Sequence, residues 1–178
     1  MLVFLHGPRN IGKSTVIEKT LELLMEQKPI GLGGFFTWNG GKDDPHVYMR
    51  PASQSRRGEV YRLASWNTNS RGLRSDISAF EVDGVRVLGD TAGAELIIMD
   101  ELGFLEKDAP AFRQAVLDTL GCGIPVLGVL RRGDVPWHED IKANPAVRII
   151  DVDEKNRDTL PRELADTLRA VITGDERR

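Results

Sequence analysis

A chain of 178 residues, 40% hydrophobic and 29% charged, is long enough for one domain with a sizeable core and far from the composition of a disordered segment. Its formal net charge of −3 gives no general pull toward nucleic acid or an anionic surface, and no apolar run is long enough to cross a bilayer. The single cysteine, Cys122, excludes an internal disulfide; with a first strand that starts at residue 2 and leaves no room for a signal peptide, it points to the cytoplasm.

Leu2-Val3-Phe4-Leu5 is a short apolar run suited to a buried parallel strand, and it feeds directly into Gly7-Pro8-Arg9-Asn10-Ile11-Gly12-Lys13-Ser14-Thr15. Gly, four residues and Gly-Lys-Ser is the phosphate-binding P-loop pattern. Residues that tolerate positive φ let successive N–H groups turn inward as an anion nest. Lys13 adds a mobile ammonium for the outer phosphates, and the Ser14 hydroxyl is a ligand for Mg²⁺. Ile17, Leu21, Leu24 and Met25 then recur at helical spacing, so a helix beginning near Gly12 directs its positive end at the same phosphates. Strand, loop and helix stand in the order that the motif requires.

Lys28-Pro29 stops that helix. Ile30 to Gly34 reads as a flexible entry to a strand at Phe35-Phe36-Thr37-Trp38, which Asn39-Gly40-Gly41 closes as a turn. His46 to Arg50, Glu59 to Trp66 and Ala79 to Val82 have strand composition, and Asp83-Gly84 suits a hairpin joining Phe80–Val82 to Val85–Val87. The stretch from about 39 to 87 therefore reads as an antiparallel β insertion. Between residues 31 and 75 it carries seven positive residues against three negative ones in a chain that is acidic overall. Either this is a solvated face, or one or two arginines reach a phosphate, Arg56-Arg57-Gly58 being the favoured spot.

Gly89 to Ala94 is a short helix or turn. Leu96-Ile97-Ile98-Met99 followed by Asp100-Glu101 is a buried strand ending in carboxylates, the Walker B pattern. Asp100 is the candidate Mg²⁺ ligand together with Ser14, and Glu101 the candidate carboxylate for polarising an attacking water. Asp108-Ala109-Pro110 suggests an N-cap and first turn, with Phe112, Ala115, Val116, Thr119 and Leu120 on one helix face. Cys122, between two glycines, reads as a turn residue. Ile124 to Leu130 is another buried strand, ending in Arg131-Arg132. Arg131 is either a solvent-exposed arginine or a finger supplied in cis to the γ-phosphate. A short helix at Trp137 to Ala143, a core strand at Val147 to Ile150, a helix from Asn156 to Ile172 and a frayed tail from Gly174 complete the chain. His6, His46 and His138 are scattered and form no metal-ligand spacing. His6 adjoins the loop and reads as a structural histidine or as one that shapes the phosphate site.

The loop at 7–15, Gly-Gly-Phe-Phe-Thr at 33–37, Asp-Glu-Leu-Gly-Phe-Leu-Glu at 100–106, the strand from Pro125 to Arg131 and Asn156-Arg157-Asp158 together resemble the cancer-related, THEP1-type nucleoside-triphosphatase family of P-loop NTPases. Arg9-Asn10 departs from the Pro-Gly of many relatives; asparagine is the non-glycine residue best able to keep the loop's positive φ. The resemblance implies Mg²⁺-dependent hydrolysis of ATP or another NTP to diphosphate and phosphate, with broad base tolerance. The expected fold class is α/β: a single three-layer α/β/α domain over residues 1–178 with a mostly parallel central sheet. Two alternatives stay open, a small-molecule or nucleotide kinase using the same loop and a regulatory nucleotide switch. Nucleoside triphosphates are the expected partners; neither a membrane nor nucleic acid is.

Overall fold

The computed structural model describes residues 1–53, 56–67 and 71–174. Eight strands form one sheet: β1 (Leu2–His6), β2 (Leu32–Asn39), β3 (His46–Pro51), β4 (Tyr61–Asn67), β5 (Gly72–Ser75), β6 (Leu96–Leu102), β7 (Val126–Leu130) and β8 (Val147–Asp151). Their spatial order is β5-β4-β3-β2-β6-β7-β1-β8. The five strands from β2 to β8 in that order run parallel. On the other side β2, β3, β4 and β5 pair antiparallel, so the expected insertion extends the sheet itself. Helices α1 (Lys13–Met25), α2 (Val85–Gly89), α3 (Pro110–Leu120), α4 (His138–Lys142) and α5 (Leu160–Thr173) flank it. Among the described residues no helix is long and apolar enough to cross a membrane.

Alternation along the central strands builds two cores. Phe4, Ile97, Met99, Val126 and Leu130 face one side, with Phe80, Val87, Leu88 and Phe112. Leu5, Ile98, Leu127 and Val129 face the other, with Ile17 and Leu21 of α1 and Leu164 and Leu168 of α5. Period-2 side chains on a sheet covered on both faces produce this near-continuous apolar reading. Gly128 gives up its side chain to the ring of Phe4: a Cβ there would lie 2.6 Å from that ring.

Several expectations need correction. Phe80–Val82 and Val85–Val87 are not a hairpin; residues 79–84 form a π-helical turn that runs into α2. Phe80, Gly84, Val87 and Leu88 recur at helical spacing, and Gly84 lies so close to Phe112 that a Cβ would meet its ring at 2.6 Å. Strand propensity and a turn-like Asp-Gly lose here to burial of a helical stripe. Residues 30–34 are no flexible entry, since β2 begins at Leu32 and pairs with β6 from there. Gly34 takes φ 79°, and a side chain would strike the Ile98 carbonyl oxygen, 2.0 Å from the added Cβ. Strand β5 has no counterpart in the sequence reading, and β8, the expected last core strand, lies at one edge of the sheet with β5 at the other. Ala109, not Asp108, occupies the cap position of α3, and the Glu81 carboxylate accepts the N–H groups of Ala111 (2.8 Å) and Phe112 (3.4 Å) instead. The last helix starts at Leu160, its approach being held by the Asn156 side chain against Asp151 and Asp153. Of the tail, residues 175–178 lie outside the described residues.

Candidate active site

Parallel strands deliver their carboxyl ends to one edge, and ligands of open α/β sheets bind there. Three parts of the chain arrive at that edge: the loop after β1, Asp100-Glu101 at the end of β6, and Arg131 after β7. Because β7 lies between β1 and β6, Arg131 emerges between the other two. A cavity of about 430 Å³ joins them, lined among others by Gly7, Arg9, Asn10, Gly12, Lys13, Ser14, Thr15, Asp100, Glu101 and Arg131.

The loop has the backbone that an anion nest needs. Gly7, Asn10 and Gly12 all take positive φ, at 149°, 63° and 106°. Asn10 thus holds the left-handed conformation that glycine would otherwise supply. Gly12 caps α1 with no side-chain hydrogen bond, and first-turn N–H groups have no partner inside a helix. Pro8 and Ile11 act through the backbone, the Ile11 N–H donating to the Pro8 carbonyl at 3.4 Å. Lys13 is buried and its Nζ donates to the carbonyls of Gly7 (3.1 Å) and Pro8 (2.9 Å). Burial lowers its pKa, Glu101 and Asp100 pull it back up, and Arg131 adds to the lowering.

Ser14 Oγ donates to Asp100 Oδ1 at 3.2 Å, across 86 residues of sequence. Asp100 is 3% exposed, and burial pushes its carboxyl up to about 7 against the relief from Ser14. A desolvated carboxylate beside a hydroxyl oxygen, opening on a phosphate nest, is a hard oxygen donor pair short of a positive charge. That fits Mg²⁺, which takes one or two protein oxygens and completes its shell with waters and phosphate. Among the described residues no group of three or more His, Cys, Asp or Glu is arranged to hold a metal by itself.

Glu101 shares the same lip. Its N–H donates to Thr37 Oγ1 on β2 at 3.1 Å, and its carboxylate stands 3.5 Å from Arg131 Nη1. Arg131 also lies over the Phe104 ring, 4.5 Å from the centroid. Gly103 makes room for it: a Cβ would come within 3.0 Å of the Arg131 side chain. The Gly103 peptide is held from both ends, its N–H by the Glu106 carboxylate and its carbonyl by Trp137 Nε1 at 2.8 Å. Complete burial pushes Glu106 up to about 7.

The sequence motifs meet here as expected, with Arg9 at the exposed rim. Arg56 does not: it pairs with Asp90 at 2.7 Å and Glu59 at 3.4 Å, and neither it nor Arg57 lines the cavity. His6 pairs with Asp151 at 2.7 Å and likewise stays off the lining. Thr37, Glu106 and Trp137 were not assigned roles from the sequence. Thr37 and Glu106 close the two stretches, 33–37 and 100–106, that carry the family resemblance, which is their signal; Trp137 is visible only through the contact it makes.

A family model described as NTPase matches residues 2–165. The nucleoside-triphosphatase THEP1 of Methanosarcina barkeri is 29% identical over 93% of this chain and 95% of its own. The crystal structure of THEP1 from Aquifex aeolicus superposes with a TM-score of 0.74 at 20% identity, covering 94% of this chain and 99% of that one. The solution structure of a human cancer-related nucleoside triphosphatase gives 0.74 at 24% identity, covering 95% and 97%. At such identities these two structures speak for the fold alone.

Proposed function

Since the chain belongs to the NTPase family, we propose that it is a Mg²⁺-dependent nucleoside triphosphatase of broad base tolerance, with Lys13, Glu101 and Arg131 as its catalytic residues. Nucleoside-triphosphate hydrolysis is the activity its relatives' names carry. The observation that supports the residue assignment is the Ser14–Asp100 contact at 3.2 Å, with Glu101 next in sequence and 3.5 Å from Arg131.

In this reading the backbone of residues 7–15 cradles the phosphates, and Lys13 exchanges its two loop carbonyls for phosphate oxygens. Ser14 and Asp100 would hold Mg²⁺, which when bound would supply positive charge against the phosphates. Glu101 orients a water for in-line attack on the γ-phosphorus. As the new P–O bond forms, the bond to the β,γ-bridging oxygen breaks, the nucleoside diphosphate leaves, and Glu101 takes up the water's proton. Arg131, drawn off Glu101, meets the charge that develops on the transferring group.

The test is a phosphate-release screen of purified protein across NTPs and dNTPs, with Mg²⁺ and with chelator. Steady release from several bases, abolished by chelator, is expected. Release confined to one base refutes broad tolerance; release that persists in chelator refutes Mg²⁺ dependence; no release without an added acceptor refutes hydrolysis.

A further inference from the structure

The antiparallel half of the sheet has two unlike faces. Phe35, Val47, Met49, Leu63 and Ala64 belong to the core that holds Phe80 and Phe112. The other face follows from the register, since residues directly opposite one another share a face and successive residues alternate. One row across the strands is Phe36 and Arg50, and the next is Trp38, Tyr48 and Arg62. A third holds His46, Ser65 and Arg74. The register shift between Val47 and Tyr48 gives β4 one extra residue, which turns both Leu63 and Ala64 inward and keeps Arg62 on this outer face.

Phe36 meets the core under α1, and beyond it Trp38, Arg50, Arg62 and Arg74 are exposed, Trp38 by 38%. Trp38 is stacked on Tyr48 with centroids 5.4 Å apart, and the Arg50 guanidinium lies over the Phe36 ring, 4.4 Å from its centroid. Unlike Arg56 and Arg86, none of Arg50, Arg62 and Arg74 forms an ion pair with a carboxylate among the described residues. Asp44, at one end of the face, accepts the Tyr48 hydroxyl at 3.1 Å and stands 3.8 Å from His46. A net charge of −3 leaves the chain no general pull on polyanions, but exposed charges act only over about a Debye length, so three unpaired guanidinium groups set the field locally.

Rings and guanidinium groups together select the occupant. An acidic peptide or lipid headgroups would use the charges and leave the aromatic faces without partners. A nucleic-acid single strand uses both, its bases stacking on rings and guanidinium planes and its phosphates meeting the arginines. We propose that this face binds single-stranded nucleic acid over about four nucleotides, with bases on Trp38 and Tyr48 and phosphates on Arg50, Arg62 and Arg74. Bases and phosphates are common to DNA and RNA, so the face takes either. It adjoins the triphosphate cavity at Trp38, which also lines that cavity.

The probes are fluorescein-labelled oligo-dT and oligo-rU of about twelve nucleotides, a length within the range that single-strand sites cover. Each is titrated into the full chain by anisotropy from about 50 to 200 mM salt, with Mg²⁺ and a non-hydrolysable triphosphate analogue present to occupy the phosphate loop. Saturable binding of both is expected, with log K falling against log salt at a slope of about −2, about 0.7 for each of three phosphate contacts. Arg62→Ala and Arg74→Ala should each lower that slope by about 0.7 and melt as wild type does, both side chains being exposed. Trp38→Ala should weaken binding about fivefold or more and leave the slope unchanged. Absence of binding, binding of only one of the two strands, displacement by the analogue or equal displacement by polyglutamate overturns the proposal. So does a slope that neither arginine variant moves, which keeps the test sound if Trp38→Ala does not fold. The readout needs no turnover, so it stands whether or not the chain releases phosphate.

Discussion

Asp100→Asn separates the site's cost to the fold from its use. Asp100 is 3% exposed and its carboxyl is pushed from an ordinary 3.8 to about 7, burial being the leading cause. A raised acid binds its proton more tightly in the native state than in the unfolded one. Stability is therefore highest below the unfolded value, falls as pH rises from about 4 to about 7, and levels off above that. At about 1.36 kcal/mol per pH unit, the interval from 3.8 to about 7 corresponds to about 4 kcal/mol of destabilisation at pH 8. Asparagine keeps the shape and removes the buried charge, and the Ser14 hydroxyl can reorient to pair with the amide. For a chain of this size 1 kcal/mol is worth about 2–4 °C in Tm, so the variant should melt on the order of 10 °C higher than wild type at pH 8. At pH 5 less than half of the gain, a little under about 2 kcal/mol, should remain, because the native carboxyl is then protonated while the unfolded one is already ionised; the gain vanishes only below about pH 4. The same variant should lose the rise in Tm that Mg²⁺ with nucleotide gives the wild type. Thermal melts from pH 5 to 9, with and without Mg²⁺ and nucleotide, read both effects. A Tm at pH 8 equal to or below wild type refutes the claim that Asp100 is held ionised at a cost.

Glu101→Gln keeps the loop, Lys13 and Asp100, so nucleotide binding measured by calorimetry should persist while kcat drops about a hundredfold or more, the scale of a lost general base. An unchanged kcat removes Glu101 from the chemistry. Gly34→Ala puts a side chain at φ 79° with its Cβ 2.0 Å from the Ile98 carbonyl oxygen, in the strand that anchors Thr37. A cost of at least about 3 kcal/mol is expected from strain and clash together, read as a lower denaturant midpoint. A midpoint unmoved by the substitution contradicts the packing described for β2 and β6.

The residues that do chemistry were legible because each sits in a local pattern with its own physical reason. An apolar run, a loop with residues fit for positive φ and an amphipathic helix identify the phosphate nest; Asn10 at φ 63° holds the left-handed conformation where the loop departs from glycine. The run ending in Asp100-Glu101 identifies a strand and its edge. The segment from 79 to 89 was misread for an equally local reason. Its Val, Phe and Asp-Gly content favours strands and turns, whereas its helical stripe gains from residues of other elements, Phe112 of α3 among them. The two readings left open for Arg56 could not be separated along the chain because basic residues look alike until their partners, here Asp90 and Glu59, are in place.

The sequence alone thus determined the phosphate loop, the carboxylate pair, the helices α1 and α5 and the parallel core strands, since hydrophobic period and glycine placement are properties of neighbours along the chain. Strand order belongs to the tertiary structure. With β7 between β1 and β6, Ser14 comes within 3.2 Å of a residue 86 positions away and Arg131 is set against Glu101. Desolvation is likewise collective. The raised carboxyls of Asp100 and Glu106 arise from what several elements jointly exclude from water, which no single stretch of sequence encodes.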